Sequence, residues 1–394
     1  MSKKIFILRV IFIGIFYSAF ALGITVNTSA TGNQPIALIN CTIIDGTGAK
    51  PIQNGIIVFE GNTIKAVGKM DRGKNFGDCK VIDLQGATVL PGLVNAHVHN
   101  AYYEKHAEIW ASSGVTTVRD LSCGRNEVEK AISFRNYARN NPKLCRILSA
   151  GSLITVPWGY KANYGITVKS EEDAQAKVQK ELDAGVDFVK IVFLEPAFPQ
   201  LANLSPKLGA LIVSLAHERG VPVTAHVGTA RDLKTALDCG VDDIAHIVND
   251  QLTDELIQRM VSLKIPLEPT LTNWATSKGS ERAIILSNVK RFHEAGGQIA
   301  LGAEHIPTVK HAGPFVGMPV AELLMMQEAG MSPMQIIVAS TLNSAKVCKL
   351  DKLLGTLQPG KIADILVLNG NPLADLKVFS NVKMVIRDGV IIRE

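Results

Sequence analysis

One short pattern recurs through the middle of this 394-residue chain: glycine followed by valine, where a helical segment gives way to a strand-like one. It occurs at Gly114-Val115, Gly185-Val186, Gly220-Val221 and Gly240-Val241. Glycine just past a helix end is a common stop signal, because it adopts left-handed backbone angles at little steric cost. The pattern therefore predicts a middle region in which helices and strands alternate.

Eight segments of this region have the composition of strands. They are 93–99, 115–120, 146–150, 187–193, 222–226, 243–248, 266–271 and 298–302. Eight strands alternating with helices over about 250 residues fit a (β/α)8 TIM barrel. An open doubly wound sheet is the alternative, but the glycine loop G-x-G-x-x-G that would bind a phosphate there is absent from the sequence.

Both ends of the chain have a different character. Residues 34–90 and 355–394 contain short runs of β-branched residues separated by glycine turns such as Gly46-Thr47-Gly48 and Asp388-Gly389. This composition predicts a small β-sandwich domain formed by both termini. The barrel then occupies residues 91–354, and the fold class is α/β.

The first residues resemble an export signal. Lys3, Lys4 and Arg9 precede an almost wholly apolar run from Val10 to Gly23. Ala19-Phe20-Ala21 matches a cleavage site, so residues 1–21 are the expected signal peptide, with a later site at Ala30 as the alternative. We expect a secreted or periplasmic protein with no membrane contact after cleavage. An uncleaved N-terminal membrane anchor is the competing interpretation.

Charge and cysteine content exclude other classes. The formal net charge is +5, and three of these charges lie in the leader, so the remainder does not indicate a nucleic-acid surface. The six cysteines are scattered and form no C-x-x-C pair, which argues against a disulfide framework or a zinc knuckle.

His97 and His99 are the first candidate metal ligands. Residues i and i+2 of a strand point to the same face, so both imidazoles project from one strand end. Neutral imidazole is a common ligand for zinc and similar ions. Two ordinary half-buried histidines would give the same pattern, and the choice depends on matching residues elsewhere.

Matching residues stand at the ends of other strands, where the active site of such a barrel lies. His226 ends the fifth strand, His246 falls late in the sixth, and Glu304 follows the eighth. Lys190 lies in the fourth strand among apolar neighbours, and alternation points it inward. A charged amine there would be costly, so Lys190 either extends to solvent or is an uncharged amine that reacts with carbon dioxide to a carbamate.

Taken together, these segments resemble the amidohydrolase superfamily, and within it the imidazolonepropionase-like branch with metal-dependent dipeptidases and carboxypeptidases. The resemblance extends from about residue 35 to residue 394. Its carriers are the segments 90–99 (LPGLVNAHVH), 114–120 (GVTTVRD) and 357–364 (LQPGKIAD), with Lys190, His226 and His246.

The resemblance implies two divalent metal ions, for which zinc is the expected identity. His97 and His99 would bind the first ion, and His226 and His246 the second. Lys190, carboxylated by carbon dioxide, would bridge the two.

Glu304 marks a departure from that family pattern. The resemblance implies Gly-Thr-Asp after the eighth strand, with the aspartate binding the first metal and moving the proton of the attacking water. The chain has Gly302-Ala303-Glu304 instead. Glutamate keeps the carboxylate but is longer by about 1.5 Å. We therefore expect Glu304 to be both metal ligand and catalytic base.

The expected reaction is hydrolysis of a carbon–nitrogen bond in a small amide or dipeptide. Tyr103, Trp158, Tyr160 and His305 are the candidate substrate contacts, since they follow the first, third and eighth strands, where loops carry specificity. Packing of the loop aromatics on the barrel is an equal alternative. Arg119 and Asp120 end the second strand and either contact substrate or form a structural ion pair.

Two other functions fit the same residues. One is hydrolysis of a cyclic amide or a deamination, which the ligand set does not separate from peptide cleavage. The other is an exported binding protein whose turnover is impaired because glutamate replaces aspartate at Glu304. The sequence leaves assembly into a homo-oligomer open.

Overall fold

The structure is a computed structural model. The predicted signal segment and His305 lie outside the residues it describes. Within those residues, no helix has both the length and the apolar character needed to cross a membrane. The described ranges are 34–71, 77–194, 202–276, 281–304 and 316–394.

The described residues form strands and helices in the following order. The strands are β1 (Ile36–Ile43), β2 (Ile52–Glu60), β3 (Thr63–Lys69), β4 (Lys80–Asp83), β5 (Thr88–Pro91), β6 (Leu93–Val98), β7 (Val115–Asp120), β8 (Arg146–Ser149), β9 (Ile154–Thr155), β10 (Ile166–Thr167), β11 (Val189–Phe193), β12 (Val223–Val227), β13 (Asp243–Ala245), β14 (Leu267–Glu268), β15 (Ile365–Leu368), β16 (Val382–Arg387) and β17 (Val390–Arg393). The helices are α1 (Glu104–Ser113), α2 (Val128–Arg139), α3 (Glu171–Asp183), α4 (Pro206–Glu218), α5 (Ala230–Cys239), α6 (Asp254–Leu263), α7 (Leu271–Trp274), α8 (Arg282–Glu294), α9 (Val320–Glu328), α10 (Pro333–Val338) and α11 (Ser344–Val347), with a π-helix at Ala339–Asn343 and a 3₁₀-helix at Leu376–Ser380.

Strands from the two ends of the chain share one sheet. Its order is β17-β16-β15-β5-β1-β2-β3, with β4 also paired to β1. The junction is the antiparallel pair of β15 with β5, in which Ile365 faces Pro91 and Leu368 faces Thr88. The sheet buries its own apolar cluster, which includes Leu38, Ile57, Phe59, Ile365 and Ile386. Each such side chain contributes about 1.5–3 kcal/mol when fully buried.

The middle of the chain forms parallel ladders. β6, β7 and β8 pair in that order, and β9, β11, β12, β13 and β14 form a second series with β10 on its edge. The β6, β7, β11 and β12 strands are buried at every position. Continuous burial is typical of parallel strands covered by helices on their outer face.

A few backbone hydrogen bonds lie outside the two parallel ladders. Asp187 and Phe188, just before β11, donate to the Ser149 carbonyl in β8 at 2.8 and 3.2 Å. Ala300 donates to the carbonyl of Leu267 in β14 at 3.0 Å. The Ala96 amide of β6 donates to the Leu301 carbonyl at 2.7 Å. The segment around residue 300 therefore bonds to β14 on one side and to β6 on the other.

The predicted helix ends are confirmed where glycine sets them. Gly114 ends α1 with φ +97° and Gly240 ends α5 with φ +82°, both left-handed. At the start of α3, the Ser170 side chain accepts a hydrogen bond from the Asp173 amide and so caps the helix. These local signals position the turns that return the chain to the next strand.

Two parts of the strand assignment differ from the prediction. Segment 298–302 forms only an isolated bridge between Ile299 and Leu267. Its ladder is interrupted because the Leu301 amide donates to the Ser344 hydroxyl at 2.9 Å instead of to a strand. The sixth strand ends at Ala245, so His246 lies just beyond it with φ +72°.

Replacing Gly114 by alanine should destabilise the protein more than the same change at Gly220. A Cβ at Gly114 would lie 2.6 Å from a methyl group of buried Leu366, whereas a Cβ at Gly220 meets open space. Both changes carry the left-handed penalty of about 1–2 kcal/mol, and overpacking adds about 1–3 kcal/mol at Gly114 only. Urea unfolding of Gly114→Ala and Gly220→Ala measures the difference. Equal losses would contradict the close packing of α1 on the sheet.

Candidate metal centre

The two histidines at the end of β6 lie side by side. Their ring centroids are 5.2 Å apart, with the rings at 81° to each other. His97 is fully buried, and a fifth of the His99 side chain is exposed. The spacing of two along a strand therefore brings both imidazoles to one mouth, the deeper one enclosed by protein.

Two further histidines complete a continuous group of rings. His226 is the second-to-last residue of β12, and His246 immediately follows β13. Their centroids are 4.4 Å apart, and His246 lies 4.8 Å from His97. Because β12 and β13 are neighbours in a parallel ladder, their carboxyl ends bring the two rings together.

Glu304 brings the carboxylate to this group. Its amide donates to the His97 carbonyl at 2.9 Å, which fixes the backbone beside β6. One carboxylate oxygen lies 3.7 Å from His99 Nε2, and the other lies 3.5 Å from His246 Nδ1. His97, His246 and Glu304 can each offer one ligand atom, all within 4.8 Å of one another. That is compact enough for one cation.

Buried nitrogen atoms without hydrogen-bond partners are a second observation that fits metal ions at this site. Both ring nitrogens of His97, Nε2 of His226 and Nζ of Lys190 are buried without a hydrogen-bond partner in the part of the chain that the structure describes. A buried polar atom left unpaired costs about 1–3 kcal/mol. Divalent cations would satisfy these nitrogens, and no described protein group does.

Burial also sets the protonation of the imidazoles. It lowers the pKa of His97 and His226 well below the usual value, and the nearby Lys190 lowers both further. Burial lowers the pKa of His246 in the same way, with His226 as the next cause. These three rings are neutral at pH 7, so each has a lone pair to offer a metal.

Lys190 lies at the floor of the group. Its side chain is only 1% exposed, so the interpretation in which it extends to solvent is wrong. Burial lowers the pKa of its amine to about 7, and the charge of Glu268 opposes that shift. A substantial fraction of Lys190 is therefore an uncharged amine at neutral pH.

Arg119 forms a structural ion pair beneath the ligands. It donates to both carboxylate oxygens of Asp243, at 3.0 and 3.1 Å, and to Glu268 at 2.9 Å. It also donates to the carbonyl of Ala96 at 2.7 Å, one residue before His97. Both Arg119 and Glu268 are fully buried. Of the two roles predicted for Arg119 and Asp120, the structure shows a structural ion pair for Arg119, with Asp243 and Glu268 as its partners in place of Asp120.

Asp120, next to Arg119, supports the loop after β6. Its carboxylate accepts the amides of Ala101 at 2.7 Å and Ser122 at 3.0 Å. Burial raises its pKa to about 6, and the nearby His99 opposes that shift. The Ser122 hydroxyl lies 3.3 Å from His99 Nδ1. Asp120 therefore orders the turn that carries His99.

The ligands line the floor of a cavity of about 200 Å³. Tyr160 forms part of its wall and stacks on His226 with centroids 4.8 Å apart. The cavity brings together all the predicted metal ligands. The described residues lining it are His97, His99, Asn100, Ser122, Leu153, Tyr160, Lys161, Tyr164, Lys190, His226, His246 and Glu304.

Two other predicted substrate contacts, Trp158 and Tyr103, are not among the described residues that line this cavity. Trp158 is 80% exposed. Tyr103 is 57% exposed, packs against His106 at 5.4 Å and lines a smaller neighbouring pocket. His305 lies outside the described residues. Substrate binding by Trp158, Tyr103 and His305 stays a prediction.

Sequence reasoning missed several residues around the ligands. Thr270 accepts or donates a hydrogen bond with His246 Nδ1 at 2.7 Å, and Asn273 donates to Glu304 at 2.5 Å. Asp243 and Glu268 carried a usable signal, since each is a charged residue within a predicted buried strand. Asn273 carried none, because its partner lies 31 residues away along the chain.

Comparison with known proteins identifies the family. Residues 88–392 match the model of the amidohydrolase family, and the chain belongs to it. The chain is 23% identical to ochratoxinase of Aspergillus niger over 421 residues, covering 91% of this chain and 86% of ochratoxinase. It is 25% identical to imidazolonepropionase of Geobacillus kaustophilus over 377 residues, covering 81% and 84%. A crystal structure of a prolidase-like protein from Bifidobacterium longum matches with a TM-score of 0.80 and 29% identity, covering 92% and 95%.

The family confirms the resemblance derived from the sequence. The chain is an amidohydrolase-type enzyme acting on carbon–nitrogen bonds. The family and the structural likeness imply a TIM-barrel-like domain with a sheet domain. The family is generally metal-dependent, which agrees with the cluster of His97, His246 and Glu304.

Removing the Arg119 guanidinium should strongly destabilise the fold. Arg119→Met leaves the carboxylates of Asp243 and Glu268 buried without their cation, a loss of about 3–5 kcal/mol. Arg259→Met is the control, because the Arg259–Asp238 pair is partly exposed and should contribute under about 1 kcal/mol. Urea unfolding measures both. A small loss for Arg119→Met would show that the ion pair does not stabilise the strands.

Proposed function

We propose that the chain is a metal-dependent hydrolase that cleaves a carbon–nitrogen bond in a small amide or dipeptide. The observation that carries this is one cavity floor with three neutral imidazoles, the carboxylate of Glu304 and the buried amine of Lys190. Their unpartnered nitrogens fit cations. The hydrolases among the relatives support the same chemistry.

The proposal includes a closed (β/α)8 barrel carrying the site, with a small β-sandwich from both termini. The bonds from Ser149 to Asp187, from Leu267 to Ala300 and from Leu301 to Ala96 support closure. The rule that active sites lie at the carboxyl ends of barrel strands then accounts for the gathering of the ligands. We further propose that the mature protein is secreted or periplasmic.

We assign the ligands to two divalent ions, and we propose that both ions are zinc. His97, His99 and Glu304 would hold one ion, and His226 and His246 the other. The amine of Lys190, after addition of carbon dioxide to Nζ with loss of a proton, would bridge them as a carbamate. Bound divalent ions lower the pKa of water toward about 7 and polarise a carbonyl oxygen.

Glu304 is the proposed proton carrier. Its carboxylate faces the cavity and lies within 3.7 Å of both His99 and His246. A carboxylate in that place accepts the proton of the attacking water and returns it to the leaving nitrogen. The neutral imidazoles around it do not compete for that proton, because burial keeps their pKa low.

The cavity wall formed by Tyr160, Lys161 and Tyr164 would select the substrate. Tyr160 stacks on His226, and Lys161 lies 5.9 Å from the ring centroids of both Tyr160 and Tyr164. This wall offers aromatic faces with one ammonium group, so it suits a small substrate with an apolar part. A panel of dipeptides, acyl amino acids and cyclic amides, assayed for amino-acid and ammonia release, tests the substrate class.

Glu304→Gln should lower kcat by about 10²–10⁴-fold, because the amide cannot accept the proton. Glutamine preserves the size of the side chain, so the thermal unfolding midpoint should not change. The assay is turnover of the best substrate from the panel. Activity within twofold of the wild type would remove Glu304 from its proposed role.

Lys190→Ala should reduce the metal content of the purified protein from about two ions per chain to one or none. Elemental analysis of protein prepared with bicarbonate measures this. Lys234→Ala is the control, since Lys234 lies exposed on α5 and pairs with Asp238. Two ions retained in Lys190→Ala would mean that Lys190 does not bridge them.

A further inference from the structure

Among the described residues, the carboxylate of Glu304 accepts a hydrogen bond from one side chain outside the ligand group. Asn273 in α7 donates from Nδ2 to Glu304 Oε2 at 2.5 Å. We propose that Asn273 is a positioning residue that fixes the Glu304 carboxylate over the metal ligands and so lets a glutamate act in this place. The inference rests on the proposed function and deepens it.

Glu304 needs such a partner for a geometric reason. Its backbone is fixed by the bond from its amide to the His97 carbonyl and has φ +32°. Glutamate has one more rotatable bond than aspartate, so the same backbone leaves its carboxylate less defined. A misplacement of about 1 Å can lower a rate about a hundredfold. The Asn273 amide removes this freedom by holding one of the two oxygens.

The donor is of a suitable chemical type. An amide N–H donates a hydrogen bond but is too weak an acid to give up its proton near neutral pH. It therefore orients the carboxylate without competing for the proton in transfer. With Oε2 held by Asn273, the other oxygen stays 3.7 Å from His99 Nε2, where it would reach the ion bound by His97 and His99.

The element that carries Asn273 is itself firmly held. An isolated helix as short as α7 is not stable. The buried carboxylate of Glu322 in α9 accepts the amides of Leu271 and Thr272, each at 2.7 Å, and the Thr272 hydroxyl at 2.8 Å. Glu322 is fully buried. The position of Asn273 is thus set by α9 and does not depend on the ligands.

The same short helix also contacts a second ligand. Thr270, directly before α7, has left-handed backbone angles with φ +48°. Its hydroxyl lies 2.7 Å from His246 Nδ1. This short helix and the residue before it therefore contact both His246 and Glu304, through one hydrogen bond to each.

The proposal can be tested by shortening one of the two side chains, lengthening the other, and measuring turnover. Glu304→Asp shortens one partner by one methylene and should lower kcat about a hundredfold, with KM within about threefold. Asn273→Gln lengthens the other by the same amount. The double variant Glu304→Asp/Asn273→Gln should recover at least tenfold in kcat over Glu304→Asp alone. Absence of recovery would overturn the proposal.

A second measurement does not require turnover. Competition between the protein and a fluorescent zinc chelator, with bicarbonate present, reports zinc affinity. Asn273→Ala should weaken zinc binding about tenfold, the effect expected on losing a group that orients a ligand. In the Glu304→Asp background, the same change should have little effect, because the contact is already lost. Equal weakening in both backgrounds would mean a merely structural role and overturn the proposal.

Asn140→Ala is the matched control for both measurements. Asn140 lies exposed at the end of α2 and donates to the Asn136 carbonyl at 3.3 Å. Its replacement should leave kcat and zinc affinity unchanged. The protein could bind zinc, with an Asn273→Ala effect that depends on Glu304, and yet hydrolyse no amide. The proposed function would then fail while the role of Asn273 stands. If the protein hydrolyses amides but the Asn273→Ala effect does not depend on Glu304, the proposed function stands and the role of Asn273 fails.

Discussion

The ion pairs of Arg119 are the interaction on which the rest of the site depends. The guanidinium lies at the centre of the parallel strands and joins β7 to Asp243 in β13 and Glu268 in β14. It also donates to Ala96 in β6 and stacks over Phe188, with 4.8 Å from its central carbon to the ring centroid. A buried charge is stable only when paired and hydrogen-bonded, so these strands must keep their relative positions. The ends of these strands, which carry the metal ligands, are then also held in fixed relative positions.

Burial determines the protonation of the ligand groups next to the Arg119 ion pairs. It keeps His97, His226 and His246 neutral, and it lowers the pKa of the Lys190 amine to about 7. Nitrogens buried without partners would destabilise a protein that binds nothing there. The same burial that prepares these groups as ligands therefore favours folded protein with cations bound, since binding to the native state alone adds to its stability.

The sequence predicted those features that local patterns determine. The glycine signals located the ends of α1 and α5, and the spacing of His97 and His99 predicted their shared face. Features that depend on distant residues were not predictable. The Leu301 amide bonds to Ser344, 43 residues away, which breaks the eighth strand, and Asn273 reaches Glu304 across 31 residues from a helix too short to show periodicity. The structure also gives Trp158 a left-handed backbone, with φ +65°, and 80% exposure, neither of which the sequence indicated.

Anomalous diffraction at the zinc edge, from crystals grown with zinc and bicarbonate, tests the central claim most directly. The account predicts two peaks in the cavity, one among His97, His99 and Glu304 and the other beside His226 and His246. It also predicts electron density for a carboxylate extending from Lys190 Nζ between them. A single peak beside an unmodified lysine, or no peak in a fully ordered cavity, would contradict the account.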